Sequence, residues 1–180
     1  MTIFIVTIVV SALFSLLSSL VFENSGLAVA FLVLFLIVIV GIIFDMIGVA
    51  VTAADEIPFH AMASRRTPGA SEAIGLLRNA AKVGSICNDV IGDICGVVSG
   101  SAAAVIAANV VAASGISWEA AVSMLLSALV AGFTVGGKAA GKNFAIKNCT
   151  TIVKMAAGVI YTIHVIPKKL FGKKKKRKKK

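Results

Sequence analysis

Apolar runs separated by short polar segments dominate the chain, and each run has the length of a membrane-spanning helix. They cover residues 3–22, 27–54, 85–113 and 117–136. About 20 residues of α-helix cross the hydrocarbon core of a bilayer, which is roughly 30 Å thick. The pattern therefore predicts an all-α integral membrane protein with four transmembrane helices, in which residues 1–26 supply the first helix and its turn.

The segment between the second and third runs, residues 55–82, has a different pattern. Apolar residues recur there at helical spacing, and Thr-Pro-Gly at residues 67–69 interrupts them. This predicts a hairpin of two short amphipathic helices. The segment carries four basic side chains, and short loops rich in Lys and Arg face the cytoplasm. We therefore expect a cytoplasmic helical hairpin and both termini in the cytoplasm.

Residues 142–165 predict a helix of another kind. Asn143, Lys147, Thr151 and Lys154 form one polar stripe on an otherwise apolar helix. A helix with such a stripe lies in the membrane interface, with its lysines toward the lipid headgroups. We expect an amphipathic juxtamembrane helix here.

The composition indicates a lipid environment, and the excess charge is confined to the C-terminus. The chain of 180 residues is 58% hydrophobic and 14% charged, whereas soluble domains have about 25% charged residues. The net charge of +10 comes from residues 168–180, because cations and carboxylates balance in residues 1–167. Residues 166–180 are expected to be a disordered polybasic tail, since they have nothing to bury and repel one another.

The polybasic tail has two expected kinds of partner. Each cation near an anionic leaflet contributes about 1 kcal/mol to membrane binding. Basic runs also bind RNA phosphates, including those of a ribosome near the membrane, by releasing counterions. The residues expected to make either contact are Lys173, Lys174, Lys175, Lys176, Arg177, Lys178, Lys179 and Lys180.

Two carboxylates interrupt the third apolar run. Asp89 and Asp93 are four residues apart and share a helical face. An isolated charge at the bilayer centre costs at least about 2.5–3.5 kcal/mol. A stripe of small residues at positions 92, 96, 100, 104 and 108 would let another helix approach closely. Either the carboxylates face protein in a protected cleft, or they lie in hydrated surroundings at the cytoplasmic interface, beside Lys82 or Arg78.

Other oxygen-bearing positions accompany these carboxylates. Asp45, Thr52 and Glu56 share one face of the second run. Glycines at positions 132, 136 and 137 weaken the end of the fourth helix and are expected to leave carbonyl oxygens free. Carboxylate, amide, hydroxyl and carbonyl oxygens are the ligands of a hard divalent cation such as Mg²⁺. An enzyme is not expected, because no nucleophile or histidine stands in a recognisable catalytic motif.

Three segments carry a resemblance to a known family. They read VTAADEIPFHAMASRR, LLRNAAKVGSICNDVIGDICG and GGKAAGKNFAIKNCTTIV. In order and spacing they resemble the transmembrane domain of the CNNM/CorC/CorB magnesium-transport family. The resemblance implies a homodimer and a three-span domain over residues 27–165, with residues 3–22 as an added span. The family's Glu and Pro align with Thr134 and Gly137, Lys138 is intact, and the tail stands where CBS domains usually follow.

The resemblance also implies a dehydrated Mg²⁺ that is held by hydroxyl, amide and backbone oxygens. Together with the carboxylate stripe, it predicts metal ligands at Thr52, Asn88, Asp89, Asp93, Gly136 and Gly137. Secondary polar positions are Asp45, Glu56 and Thr134. The expected function is divalent-cation transport or homeostasis in a bacterial plasma membrane. The alternative is a non-transporting membrane scaffold whose tail tethers anionic lipid or ribosomal RNA.

Overall fold

The computed structural model describes residues 26–114 and 119–176 and positions 5, 8, 9, 11–13 and 16, with the side chains of residues 26–113 and 120–164. The regular structure in these residues is helical, which confirms the all-α fold class. In chain order the elements are α1 (Leu27–Ala53), α2 (Ile57–Ser64), α3 (Ala70–Arg78), α4 (Ala80–Ser85), a π-helical segment (Ile86–Gly92), α5 (Asp93–Ser114), α6 (Glu119–Lys147) and α7 (Cys149–Lys176).

Three stretches of helix are long and apolar enough to cross a membrane. They are Leu27–Ala53, Ala80–Ala113 and Ala120–Lys147. The second stretch combines α4, the π-helical segment and α5. The three stretches correspond to the second, third and fourth apolar runs of the sequence. The run at residues 3–22, which the sequence predicts as a further span, lies largely outside the described residues.

Helix α1 is the centre of the bundle, because it contacts α4, the π-helical segment, α5, α6 and α7. Glycine permits the closest approaches. A Cβ at Gly48 would overlap the side chain of Asn88, and a Cβ at Gly137 would overlap Ile42. Further toward the N-terminus, α1 packs on α5 through an apolar cluster of Ala30, Leu34, Val38, Ala102 and Ile106. This packing brings polar groups of three long helices within reach of one another.

A second apolar cluster joins the short helices to the C-terminal half of α1. Phe59 of α2, Leu77 of α3 and Val153 of α7 are buried there against Val51 of α1. The turn between α2 and α3 contains Gly69, whose φ of +85° lies in the left-handed region that glycine adopts without steric cost. The two short helices thus flank residues 67–69, and α7 packs against α3.

Helix α6 continues without a break through Gly132, Gly136 and Gly137, so the expected loosening of this helix is not observed. Each glycine costs about 1 kcal/mol relative to alanine in a helix. An unpaired backbone group in an apolar environment costs several kcal/mol. The helix therefore keeps its backbone hydrogen bonds despite the glycines.

Helix α7 differs from the predicted juxtamembrane helix and tail at both ends. It begins at Cys149, whereas the sequence predicts a helix from residue 142. Asn148 sets the boundary, because its Nδ2 donates to Phe144 O at 3.1 Å and its carbonyl accepts the Thr151 amide at 3.1 Å. At the other end α7 extends to Lys176, so the tail before residue 177 is helical where disorder was expected from residue 166.

The small-residue stripe of the third span turns away from the bundle along most of its length. Gly92 is buried and Gly96 is half-buried, but the positions beyond them are exposed: Gly100, Ala104 and Ala108. The face that packs into the bundle combines large and small apolar side chains. They are Val90, Ile94, Val98, Ala102, Ala103, Ile106 and Ala107.

Candidate functional site

The backbone widens into a π-helical turn where α4 meets α5, at Ile86–Gly92. Each amide in such a turn bonds to the carbonyl five residues earlier, and π-helical turns are frequent at functional sites. Asn88 and Gly92 of this segment lie against α1: Asn88 meets Gly48, and Gly92 lies beside the carboxylate of Asp45. The wide turn therefore brings an amide side chain and a backbone carbonyl to the centre of the bundle.

A lysine of α6 reaches the same place. Lys138 Nζ donates a hydrogen bond to the Gly92 carbonyl oxygen at 3.1 Å and lies 3.9 Å from Asp45 Oδ1. The side chains of Lys138 and Asp45 are 23% and 17% exposed, so both charges are partly shielded from solvent. One ammonium thus joins α1, the π-helical segment and α6. We call Lys138, Asp45 and the Gly92 carbonyl the Lys138 cluster.

The Lys138 cluster lies inside the spans but near one end of them. Asp45 is eight residues before the end of α1, and Lys138 is nine residues before the end of α6. At 1.5 Å per residue these distances are about 12–14 Å of helix. The short helices α2 and α3 follow the same end of α1. The cluster therefore belongs to the half of the bundle that lies toward residues 55–82, which we call the basic segment.

Asn88 provides an oxygen that the protein leaves unused. Its Oδ1 is buried and has no hydrogen-bond donor among the described residues. Leaving a buried acceptor without a partner costs about 1–3 kcal/mol. Asn88 precedes Gly92 by four residues, and Gly48 follows Asp45 by three, so this oxygen lies about one helical turn from the Lys138 cluster. A buried oxygen of this kind suits a ligand that carries positive charge.

The carboxylates of Asp89 and Asp93 do not face a protected cleft. Both residues are exposed in the single chain, so the inward orientation of the carboxylates is not observed. The reason is that the opposite face of the segment packs into the bundle, where Val90 and Ile94 are buried with Val98. The two carboxylates follow Asn88 by one and five residues and lend negative potential to the surface beside it.

The remaining predicted ligands are engaged elsewhere. Thr52 Oγ1 donates to Val49 O at 2.9 Å and Gly48 O at 3.2 Å, within its own helix. Gly136 and Gly137 are interior residues of α6. Thr134 Oγ1 donates to Val130 O at 2.7 Å, and Glu56 accepts from His60 Nε2 at 3.2 Å on the surface of α2.

Of the predicted positions, the structure brings Asn88 and Asp45 to within about a turn of each other. Among the described side chains, no three His, Cys, Asp or Glu groups are grouped as a metal site would require.

Lys138 is the residue that sequence reasoning underrated. The resemblance gives Lys138 only as the intact residue of a family motif. A sharper signal was present, because Asp45 lies inside the second apolar run and the opposite charge of Lys138 follows the end of the fourth run by two residues. Ionisable groups inside membrane spans pair with one another or with backbone carbonyls. That rule predicts the observed contact.

Comparison of the chain with protein-family models, curated proteins and solved structures finds no match. The likeness to the CNNM/CorC/CorB transmembrane domain therefore stays a prediction from three sequence segments. The contacts among α1, the π-helical segment and α6 are the observations that bear on function.

Proposed function

We propose that this chain is a membrane protein that binds a divalent cation, with Mg²⁺ as the preferred ion, in transport or homeostasis. The observation that supports this is the Lys138 ammonium, held by a backbone carbonyl of the π-helical segment and facing the Asp45 carboxylate. An ammonium is a cation, so the oxygens around it mark a place in the bundle that stabilises positive charge. The unused oxygen of Asn88 lies about one turn away.

The oxygens at this place suit a hard divalent ion. Asp45 offers a carboxylate, Gly92 a backbone carbonyl and Asn88 an amide oxygen. Mg²⁺ takes six oxygen ligands and usually keeps several waters. A site with one carboxylate and two neutral oxygens therefore matches its usual coordination. Of these three groups, the resemblance implies Asn88 alone as a ligand. The structure thus supports a smaller set of ligands than the sequence predicts.

Orientation and assembly form part of the proposal. The basic segment that contains α2 and α3 faces the cytoplasm, as the positive-inside rule favours for short loops. With a fourth span at residues 3–22, both termini are cytoplasmic in a bacterial plasma membrane. The exposed stripe of Gly100, Ala104 and Ala108 is the face of α5 on which a second copy packs closely, as in other small-residue contacts between membrane helices.

Thermal unfolding in the presence of divalent cations tests the proposed binding. A ligand at 100 times its dissociation constant stabilises the folded state by about 2.7 kcal/mol, so Mg²⁺ raises the unfolding temperature of the purified protein. Asp45→Asn removes most of this gain. Glu72→Gln, on α3 and away from the Lys138 cluster, keeps it. An unfolding temperature that does not depend on Mg²⁺, Mn²⁺ or Co²⁺ in the wild-type protein would reject the proposal.

A membrane scaffold is the second candidate function, and the docking of α7 favours it. Ile152, Val153 and Ala157 are buried where α7 packs on the bundle, while Lys154 of the same helix stays exposed. A helix that is fixed to the bundle and leads into the basic tail presents its cations at a defined place. Each cation near an anionic leaflet contributes about 1 kcal/mol, and RNA phosphates attract the same residues.

Deletion of residues 172–180 tests the scaffold. Binding to phosphatidylserine vesicles and to ribosomal RNA is measured by flotation and by filter retention at two salt concentrations. The scaffold predicts that one of these associations is lost on deletion while cation binding is unchanged. If the truncated protein binds both partners as the full chain does, this second function is rejected.

A further inference from the structure

We infer that Lys138 is a tethered competitor for the cation: its ammonium occupies oxygens of Asp45 and Gly92 that an incoming cation needs. A divalent ion binds there only when Nζ moves away. This inference rests on the proposed cation binding and adds to it the residue that sets the affinity.

The contacts of Lys138 are those of a group that can leave. Nζ carries three N–H donors, and its one contact at hydrogen-bond distance among the described residues is to Gly92 O at 3.1 Å. Its distance to Asp45 Oδ1 is 3.9 Å, whereas a charge-assisted hydrogen bond between an ammonium and a carboxylate measures about 2.7–2.9 Å. The ammonium is therefore attracted to the carboxylate without being bonded to it.

The side chain also has somewhere to go. The side chain of Lys138 is 23% exposed, so part of it already touches the surroundings of the bundle. A lysine has a flexible four-carbon stem and moves its charged head toward the membrane interface when its position allows. Release of the ammonium thus needs a rotamer change and no rearrangement of the helices.

The cluster offers more acceptor capacity than one ammonium uses. Neither carboxylate oxygen of Asp45 is hydrogen-bonded to Lys138, and Asn88 Oδ1, about one turn away, is buried without a donor among the described residues. A purely structural ion pair would be expected to satisfy its neighbours, because each buried acceptor without a partner is costly. A cation that collects several oxygens at once uses this surplus, and the ammonium does not.

Mg²⁺ titrations of three full-length proteins test the competition. Wild type, Lys138→Met and Lys142→Met are purified in detergent, and the rise in unfolding temperature is recorded against MgCl₂ concentration. Methionine keeps most of the stem of lysine and removes the charge. Lys142 is exposed one turn further along α6 and serves as the matched control. We expect the half-saturating Mg²⁺ concentration to fall at least tenfold in Lys138→Met and to stay at the wild-type value in Lys142→Met.

A labelling experiment on the wild-type protein gives the same answer without a substitution. An N-hydroxysuccinimide ester acetylates lysines from the aqueous side, and mass spectrometry compares Lys138 with Lys142. Displacement of the ammonium by Mg²⁺ raises acetylation of Lys138 at least threefold and leaves Lys142 unchanged. This measurement also covers the case in which Lys138→Met does not fold.

The outcomes separate the inference from the function on which it rests. If Mg²⁺ stabilises the wild type but binds Lys138→Met no more tightly, or if Mg²⁺ does not raise the acetylation of Lys138, the competition is refuted and the cation binding stands. If Mg²⁺ stabilises neither wild type nor Lys138→Met, the proposed function fails, and the inference fails with it.

Discussion

Replacing Asp45 by Asn removes the negative partner of Lys138 while keeping the shape of the side chain. The ammonium then stays inside the bundle with the Gly92 carbonyl as its hydrogen-bond acceptor. Removing one partner of a shielded ion pair destabilises a protein mainly because the other charge is left uncompensated. Asp45→Asn is therefore expected to lower the free energy of unfolding, and Lys138→Met is expected to relieve that loss when both changes are combined.

The size of this coupling follows from the distance and the exposure of the two charges. Across 3.9 Å the attraction is about 4 kcal/mol at an effective dielectric constant of 20 and about 1 kcal/mol in bulk water. The side chains of Asp45 and Lys138 are 17% and 23% exposed, so the true value lies between these limits. We expect a coupling energy of about 1–3 kcal/mol between the two positions.

A double-mutant cycle measures the coupling. Wild type, Asp45→Asn, Lys138→Met and the double variant are unfolded with SDS in mixed micelles, and helix content is followed by circular dichroism. Glu72→Gln, alone and with Lys138→Met, is the control pair and should be additive within about 0.5 kcal/mol. A coupling between Asp45 and Lys138 that is no larger than this control would show that the contact does not stabilise the bundle.

Three further results are expected. Gly48→Ala lowers the free energy of unfolding by about 1–3 kcal/mol, because the added methyl overlaps the amide opposite it, whereas Gly75→Ala, with open space around it, is neutral or stabilising by up to about 1 kcal/mol; chemical unfolding of both variants checks this. Ile106→Ala costs about 2–5 kcal/mol, since Ile106 is fully buried between α1 and α5, and a loss below 1 kcal/mol in the same assay would contradict the packing. Asp89→Asn and Asp93→Asn slow Mg²⁺ flux into proteoliposomes at low ionic strength, because each weakens the negative potential beside Asn88. A flux equal to that of the wild-type protein in both variants at low salt would exclude that role.

The sequence was informative wherever a long pattern determined the structure. Apolar runs predict the three described spans, because a helix that crosses lipid must be apolar over its whole length. The break at residues 67–69 predicts the turn between α2 and α3, since Pro68 and Gly69 disfavour a continued helix. These features depend on local chemistry alone, so they can be predicted from the sequence without knowing which helix packs against which.

The orientation of the third span could not be predicted from the sequence, and the reason is physical. Beyond Asp93 the third span carries no charged side chain that would show which side meets the bundle. Spacing shows that Asp89 and Asp93 share a face, but the side that turns inward is decided by packing against α1. The π-helical turn adds to the difficulty, because one extra residue per turn shifts the phase of everything before it relative to α5.

The candidate site was predictable in part. Asn88 is predicted from the sequence as a metal ligand, and its Oδ1 is the buried oxygen without a donor among the described residues. The backbone oxygen in the cluster belongs to Gly92 of the π-helical turn, whereas the sequence points to Gly136 and Gly137. Backbone geometry inside an apolar helix leaves little trace in composition, and the contact that locates the Gly92 oxygen is made by Lys138 from another helix.

Asn88→Leu separates a cation-binding bundle from a merely structural one. Leucine has nearly the shape of asparagine and lacks the buried amide oxygen that has no described partner. Without metal, the variant is expected to unfold with a free energy up to about 1–3 kcal/mol higher than wild type, because an unsatisfied acceptor is gone. In isothermal titration with MgCl₂ it is expected to bind at least tenfold more weakly than wild type. Equal Mg²⁺ affinity in the two proteins, or no saturable Mg²⁺ binding to wild type, would contradict a cation site at this oxygen.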